Sequence, residues 1–218
     1  MGILSILSRL IFPQKCPGCG RYTDTPVIWC DDCLTRTLRP RRIGLSMEQR
    51  KYISGAVSLC AYHGTIRDLI RASKYHSNQR ALRELGILCA ESISSEIVGN
   101  MLSRTDVITP VPLFAKKERK RGFNQSEAFF RPLSKAAGIP IERLLLRTRE
   151  TPPQYGLSAR QRRVNLRGAF AVSGRVKGRH VLLVDDIFTT GSTALSCAEP
   201  LIDAGAAAVS ILVLSSDA

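Results

Sequence analysis

The stretch "VLLVDDIFTTGST", Val181 to Thr193, runs from four apolar residues through two adjacent acids into hydroxyls arranged around one glycine. A continuous apolar run such as "VLLV" reads as a strand buried on both faces, the kind that fills parallel sheets. Helical spacing follows in "STALSCAEPLIDAGA", and "AVSILVLSS" is a further apolar strand. Strand, turn and helix in that order set Thr189, Thr190, Gly191, Ser192 and Thr193 at a helix N-terminus. Free N–H groups and the positive end of the helix dipole favour phosphate there. Asp185 and Asp186 would repel a phosphate lying directly on them. They suit sugar hydroxyls or a divalent cation, with the phosphate beyond. A sugar phosphate satisfies both halves at once; the competing reading is an ordinary β-to-α turn. The P-loop pattern G-x4-G-K-[ST] is absent.

Working outward, "SGAVSLCAYHG" alternates like a strand, and "TDVITPVPL" is a short strand broken by Pro110 and Pro112. Helical spacing runs from Thr65 to Ile97, with Ile66, Leu69 and Ile70 on one face and Leu82, Leu85, Leu88 and Cys89 on another. A basic run, "KKERKRGFNQSE", leads into a helix carrying Ala128, Phe129 and Leu133. The expected fold class is α/β: a parallel sheet with flanking helices and a small N-terminal metal-binding knuckle. In such sheets ligands bind at the carboxyl ends of strands, where Thr109–Leu113 and Asp185–Thr193 fall.

Cys16, Cys19, Cys30 and Cys33 form C-x2-C-x10-C-x2-C. Each pair can present two thiolates to one tetrahedral ion, and an all-sulfur set selects zinc first and iron second. A closed four-thiolate site leaves no position for substrate, so its role is structural. The alternative is two disulfides, which need an oxidising compartment. Cys60, Cys89 and Cys197 sit in apolar surroundings and read as buried small residues. His63, His76 and His180 have no metal-binding or catalytic spacing. The expected organisation is a short apolar helix over 1–14, the four-Cys segment over 15–38, a basic linker over 39–52 and an α/β domain over 53–218.

The chain has 218 residues, 44% of them hydrophobic, and a formal net charge of +14. That charge points to a polyanionic partner such as nucleic acid or a phosphorylated small molecule, against the plainer reading of a solvated basic face. The apolar opening, Ile3 to Ile11, is interrupted by Arg9 and is far shorter than the roughly 20 residues of a membrane span. It lacks a charged leader and a cleavage site, so it reads as a helix packed on the body, with interfacial attachment as the second reading. The expected compartment is the cytoplasm, with no transmembrane segment.

The motifs resemble a known family. "VLLVDDIFTTGST" is similar to the phosphoribosyl pyrophosphate (PRPP) motif of type I phosphoribosyltransferases. In order, "CPGCG…CDDC", "VITPVPLFAKKERKRGFNQSE", "TPPQYGLSARQRRVNLRGAF" and that motif resemble ComF/GntX-like proteins, over Cys16 to Leu214. That family joins a zinc finger to a phosphoribosyltransferase domain and is associated with DNA uptake. The resemblance implies ribose hydroxyls on Asp185 and Asp186 and a 5′-phosphate on Thr189 to Thr193. It implies pyrophosphate, with Mg²⁺, on the Thr109–Leu113 turn around Pro110, Val111 and Pro112. Residues 151–167 would form the hood, with Arg160, Arg162, Arg163 and Arg167 facing the leaving group and Arg163 the arginine assigned a catalytic part. Arg121 could reach a phosphate, and Asn124 and Gln125 could present amides.

Three functions are compatible with these residues. The chain transfers phosphoribosyl to an acceptor the sequence does not name. Alternatively it binds single-stranded DNA along its basic runs, with Phe114, Phe123 and Tyr155 as stacking candidates. In the third, it recruits a helicase or DNA-uptake component through the knuckle, with PRPP as a regulatory ligand.

Overall fold

The run beginning at Val181 does form a strand buried on both faces, and its neighbours explain why nearly every residue in it is apolar. The computed structural model describes residues 14–23, 28–74, 78–150 and 165–217. The helix expected over 1–14 therefore falls almost wholly outside the described residues, as do His76, Tyr155 and the hood from 151 to 164.

A small hairpin opens the structure, β1 (Gln14–Lys15) against β2 (Tyr22–Thr23), followed by α1 (Asp31–Thr37). Next come β3 (Arg41–Arg42), β4 (Gly55–Ala61), α2 (Gly64–Ala72), α3 (Gln79–Glu91) and α4 (Glu96–Leu102). β5 (Val107–Pro110) leads to α5 (Ala115–Arg121) and α6 (Gln125–Ala137). A two-stranded antiparallel ribbon joins β6 (Leu145–Arg147) to β7 (Phe170–Val172). The chain then runs through β8 (His180–Phe188), α7 (Ser192–Asp203) and β9 (Ala208–Ser216).

The main sheet has five strands in the order β3-β4-β9-β8-β5. Only β3 runs antiparallel, pairing Arg41 with Ser58; the other pairings are parallel, with Leu183 opposite Ile211 and Ile108 opposite Leu182. β9 thus lies between β8, which precedes it by one helix, and β4, which precedes it by most of the domain.

Alternation along the central strands feeds two cores. Val181 and Leu183 of β8 join Val209, Ile211 and Val213 of β9 on one face, covered by Ala194, Cys197, Ala198 and Leu201 of α7. Leu182, Val184, Leu212 and Leu214 face the other way, onto Ile66 and Ile70 of α2, Leu85 and Leu88 of α3, and Phe129, Phe130 and Leu133 of α6. α3 and α6 approach closely at Gly86, where an added Cβ would stand 3.1 Å from the Pro132 ring. Cys60, Cys89 and Cys197 are fully buried, as their surroundings imply.

Two stretches differ from the sequence expectation. The helical pattern from 65 to 97 divides, with Asn78 capping α3 by accepting from Ala81 N–H at 3.0 Å and a break at Ser95 before α4. The basic run is itself a helix, α5, rather than only the approach to one. Among the described residues no single helix is long and apolar enough to cross a membrane.

Candidate functional site

The site is built where β8 outlasts β5, while β9 stays paired with it to Phe188. Pro110 ends β5, and the next residue extends the ladder by one bond, Val111 N–H donating to Val184 O at 2.9 Å. β8 continues through Asp185 and Asp186 to Phe188, so both acids stand beside the start of the β5–α5 loop. Two successive strand residues point to opposite faces, which is why each acid meets different partners.

Asp185 accepts from the Ser126 hydroxyl at 3.0 Å and from Asp186 N–H at 2.9 Å. Burial, and then the neighbouring Asp186 charge, still push its carboxyl well above the ordinary value. Asp186 accepts from the Gln125 amide, and the Gln125 carbonyl oxygen accepts from Arg121. Asn124 makes this arrangement rigid. Its Oδ1 caps α6 by accepting from Ser126 N–H at 3.0 Å and Glu127 N–H at 3.3 Å, while its Nδ2 donates to Val111 O at 2.9 Å. Asn124, Gln125 and Ser126 are all buried. One short segment therefore ties the N-terminus of α6 to both acids and to the β5–α5 loop.

Beyond the acids, Thr189 to Thr193 turn into α7 and line a pocket together with Val111, Asp185, Phe188, Ile211 and Val213. Gly191 occupies the left-handed region at φ +71° as the N-cap. The hydroxyls of Thr190 and Ser192 lie 2.9 Å apart. Hydroxyls and unpaired helix N–H groups at one turn are a donor set for an anion.

Cations gather around both acids, Arg121 and Lys117 near Asp186 and Arg147 near Asp185. Arg121 and Arg147 are partly buried, and burial lowers both guanidinium pKa values, opposed by Asp186 at Arg121 and by Cys197 and then Asp185 at Arg147. Arg147 also lies over the Phe170 ring at 5.6 Å. Lys117 is exposed as a whole residue, yet partial desolvation of its ammonium lowers its pKa, with repulsion from Arg121, Lys74 and Arg147 adding to the effect. Cations that raise one another's cost of charging are relieved by a multiply charged anion.

The four cysteines form a separate centre. Their sulfurs all lie within 4.8 Å of one another, and Cys19 Sγ and Cys30 Sγ stand 3.8 Å apart. Thiolates bound tetrahedrally at about 2.3 Å to one ion sit about 3.8 Å apart, so the set fits a metal and not a disulfide pair. None of the four is joined to another by a disulfide, which favours the metal reading over the two-disulfide one. A hydrogen bond from Arg21 draws the Cys19 pKa down to about 6, whereas burial pushes Cys33 up to about 12. Trp29 fastens the knuckle to the body: it is buried, and its indole N–H donates to Glu84 O on α3 at 3.0 Å. Arg80 adds a bond to Lys15 O at 3.1 Å.

No protein-family model matches the chain. The DNA utilization protein YhgH of Escherichia coli K12 is 32% identical to it over 98% of this chain and 89% of that protein. The chain belongs to the YhgH family. Competence protein F of Haemophilus influenzae is 29% identical over 82% of this chain and 80% of its own. Among solved structures, adenine phosphoribosyltransferase from Leishmania tarentolae overlaps loosely, at 14% identity and a TM-score of 0.41, over 81% of this chain and 95% of that one.

In this YhgH-family chain the sequence-derived residues divide clearly. Asp185, Asp186, Thr189–Thr193, Val111 and, through Gln125, Arg121 come together, and Pro110 and Pro112 frame the adjoining loop. Arg160, Arg162 and Arg163 lie outside the described residues, while the Arg167 carbonyl accepts from Arg149 at 2.8 Å. Three participants went unassigned from sequence: Lys117, Ser126 and Arg147. Ser126 was within reach, because an N-cap Asn places the next two side chains at the helix mouth.

Proposed function

We propose that this chain is a PRPP-binding protein of the ComF type that serves DNA uptake or DNA utilisation. The observation that carries the reading is the joint placement of two acids, a hydroxyl-rich helix N-terminus and a set of mutually repelling cations around one loop. Asp185 and Asp186 accept from the ribose hydroxyls. Thr189 to Thr193 and the first N–H groups of α7 hold the 5′-phosphate. Arg121, Lys117 and Arg147 face the pyrophosphate. What the chain contributes to transfer is position and charge stabilisation, with no general base required of these residues. Each carboxylate offers about four acceptor sites, more than the protein donors described above fill, so Asp185 and Asp186 fit Mg²⁺ as well as sugar. Bound with pyrophosphate, that ion would neutralise its developing charge. The four cysteines hold zinc in a structural site. Supporting the biological role are the names of the relatives, which concern DNA utilisation and competence.

Calorimetric titration of PRPP with Mg²⁺ into the zinc-loaded protein tests this, beside Asp185→Asn/Asp186→Asn. Binding by the wild type that disappears in the double variant supports the cradle. Folded wild-type protein that takes up no PRPP refutes it.

A second reading draws on α5, whose Lys116, Arg119 and Lys120 are exposed on a helix with no buried residue. Single-stranded DNA tracking that face would bind with steep salt dependence. An affinity unchanged between low and moderate salt would exclude it.

A further inference from the structure

The turn from Thr189 to Thr193 is held from outside its own strand and helix. The hold comes from the segment between β3 and β4. Ser46 and Gln49 form a reciprocal cap: Gln49 N–H donates to Ser46 Oγ at 3.3 Å, and Ser46 N–H donates to Gln49 Oε1 at 2.9 Å. With its carbonyl oxygen anchored, the Gln49 side chain has one orientation, and its Nε2 donates to Thr190 O at 2.9 Å. Gln49 is only 7% exposed, so this bond is shielded from competing water. The fit is close. A Cβ added to Gly191 would stand 2.3 Å from Gln49 Nε2 and 2.5 Å from Phe188 Cζ, and the backbone there is left-handed at φ +71°.

The consequence lies in the peptide plane. Across a trans peptide the C=O and the following N–H point in opposite directions, and there is no cis bond here. Fixing the Thr190 carbonyl toward Gln49 therefore turns the Gly191 N–H away from it. Without the Gln49 amide this peptide has no described partner on the carbonyl side to stop it rotating, and Gly191, lacking a Cβ, offers little resistance.

We propose that Gln49 is a positioning residue for the phosphate loop, setting the Thr190–Gly191 peptide so that its N–H is presented to a phosphate on the side away from the 43–53 segment. This rests on the reading of Thr189–Thr193 as the 5′-phosphate cradle. It also assigns a role in the site to a segment that the sequence presents only as a basic linker. Gln49 touches the loop and not the ligand, so its effect is confined to ligands that use the loop.

The test compares wild type, Gln49→Ala and Gln49→Glu, with ribose 5-phosphate and Mg²⁺-pyrophosphate titrated separately by calorimetry and melting followed in parallel. Gln49→Glu keeps the acceptor for Ser46 N–H and replaces only the donor, setting a carboxylate oxygen against the Thr190 carbonyl. Both variants are expected to bind ribose 5-phosphate about five- to tenfold more weakly, the scale of one buried hydrogen bond. Pyrophosphate affinity stays within about twofold, because Arg121 and the β5–α5 loop do not depend on this bond. Unchanged ribose 5-phosphate binding overturns the assignment. Equal loss of both ligands, or variants too unstable to bind either, makes Gln49 merely structural and overturns it too. If the wild type binds pyrophosphate but no ribose 5-phosphate, or binds neither, the cradle reading itself fails, an outcome distinct from a defect confined to the variants.

Discussion

Replacing Asp185 by Asn should stabilise the ligand-free protein at neutral pH while abolishing PRPP binding. The substituted amide keeps an oxygen to accept from the Ser126 hydroxyl and Asp186 N–H, the two bonds Asp185 now receives at 3.0 and 2.9 Å. What the substitution removes is a carboxylate whose pKa is raised by burial and by Asp186. The sign follows from proton counts. Above the unfolded value of 3.8, the folded state holds the proton longer than the unfolded chain does. Stability from this group is therefore fully present below that value and is lost as pH rises through the higher folded pKa. A whole proton of difference gives a slope of about 1.4 kcal/mol per pH unit, so a modest window is enough to matter. Removing a functional charge of this kind is worth about 1–2 kcal/mol, or roughly 2–8 °C in melting temperature for a chain this long. The assay is urea unfolding of both proteins from pH 4 to pH 8. The variant's advantage should grow with pH and then level off. Parallel curves, or a variant less stable than wild type at pH 8, would refute the reasoning.

Other perturbations reach different parts of the molecule. Gly191→Ala forces a Cβ into a left-handed turn against Gln49 and Phe188, and should cost about 2–3 kcal/mol and eliminate ribose 5-phosphate binding; chemical denaturation and calorimetry check both. Trp29→Ala empties a buried site and frees Glu84 O, with an expected loss of about 3–5 kcal/mol measured by urea unfolding. Because Cys16 and Cys33 share a core with Leu85, Leu88 and Phe129, stripping metal with a chelator should lower one cooperative melting transition for the whole body. A separate early transition, with the main one unmoved, would show that the knuckle unfolds independently.

Much of this was legible in the sequence because the decisive elements are locally encoded. β8, α7 and β9 carry their apolar runs and helical spacing in contiguous residues, and the acids and hydroxyls sit at fixed offsets from them. The four-Cys cluster needed only its spacing. Strand order was not legible in full: β8 and β9 are neighbours in the chain, but β9 pairs with β4, and β8 with β5, through contacts far apart in sequence. The basic run concealed a helix because α5 buries no residue and has no apolar stripe to betray it. Gln49 was hidden for another reason. "SMEQ" does carry the S-x-x-Q capping signature, but that signature announces only a helical turn, and the partner of its spare amide lies 141 residues further on. Lys117 and Arg147 were visible only as members of charged stretches until folding set them around Asp186 and Asp185.

The position of β9 also governs how the molecule can be made. β4 and β8 are synthesised with their inner edges open, and nothing in the preceding chain can fill the gap between them. At usual rates of translation β4 waits on the order of ten seconds or more for its partner. Through that interval β4 presents unpaired backbone to any other chain nearby, joined by β8 only near its end, the circumstance in which chaperones are needed. The ligand pocket shares the delay, since Ile211 and Val213 belong to its lining. A nascent chain arrested before Ile211 carries both acids and the whole phosphate loop, yet has an incomplete pocket.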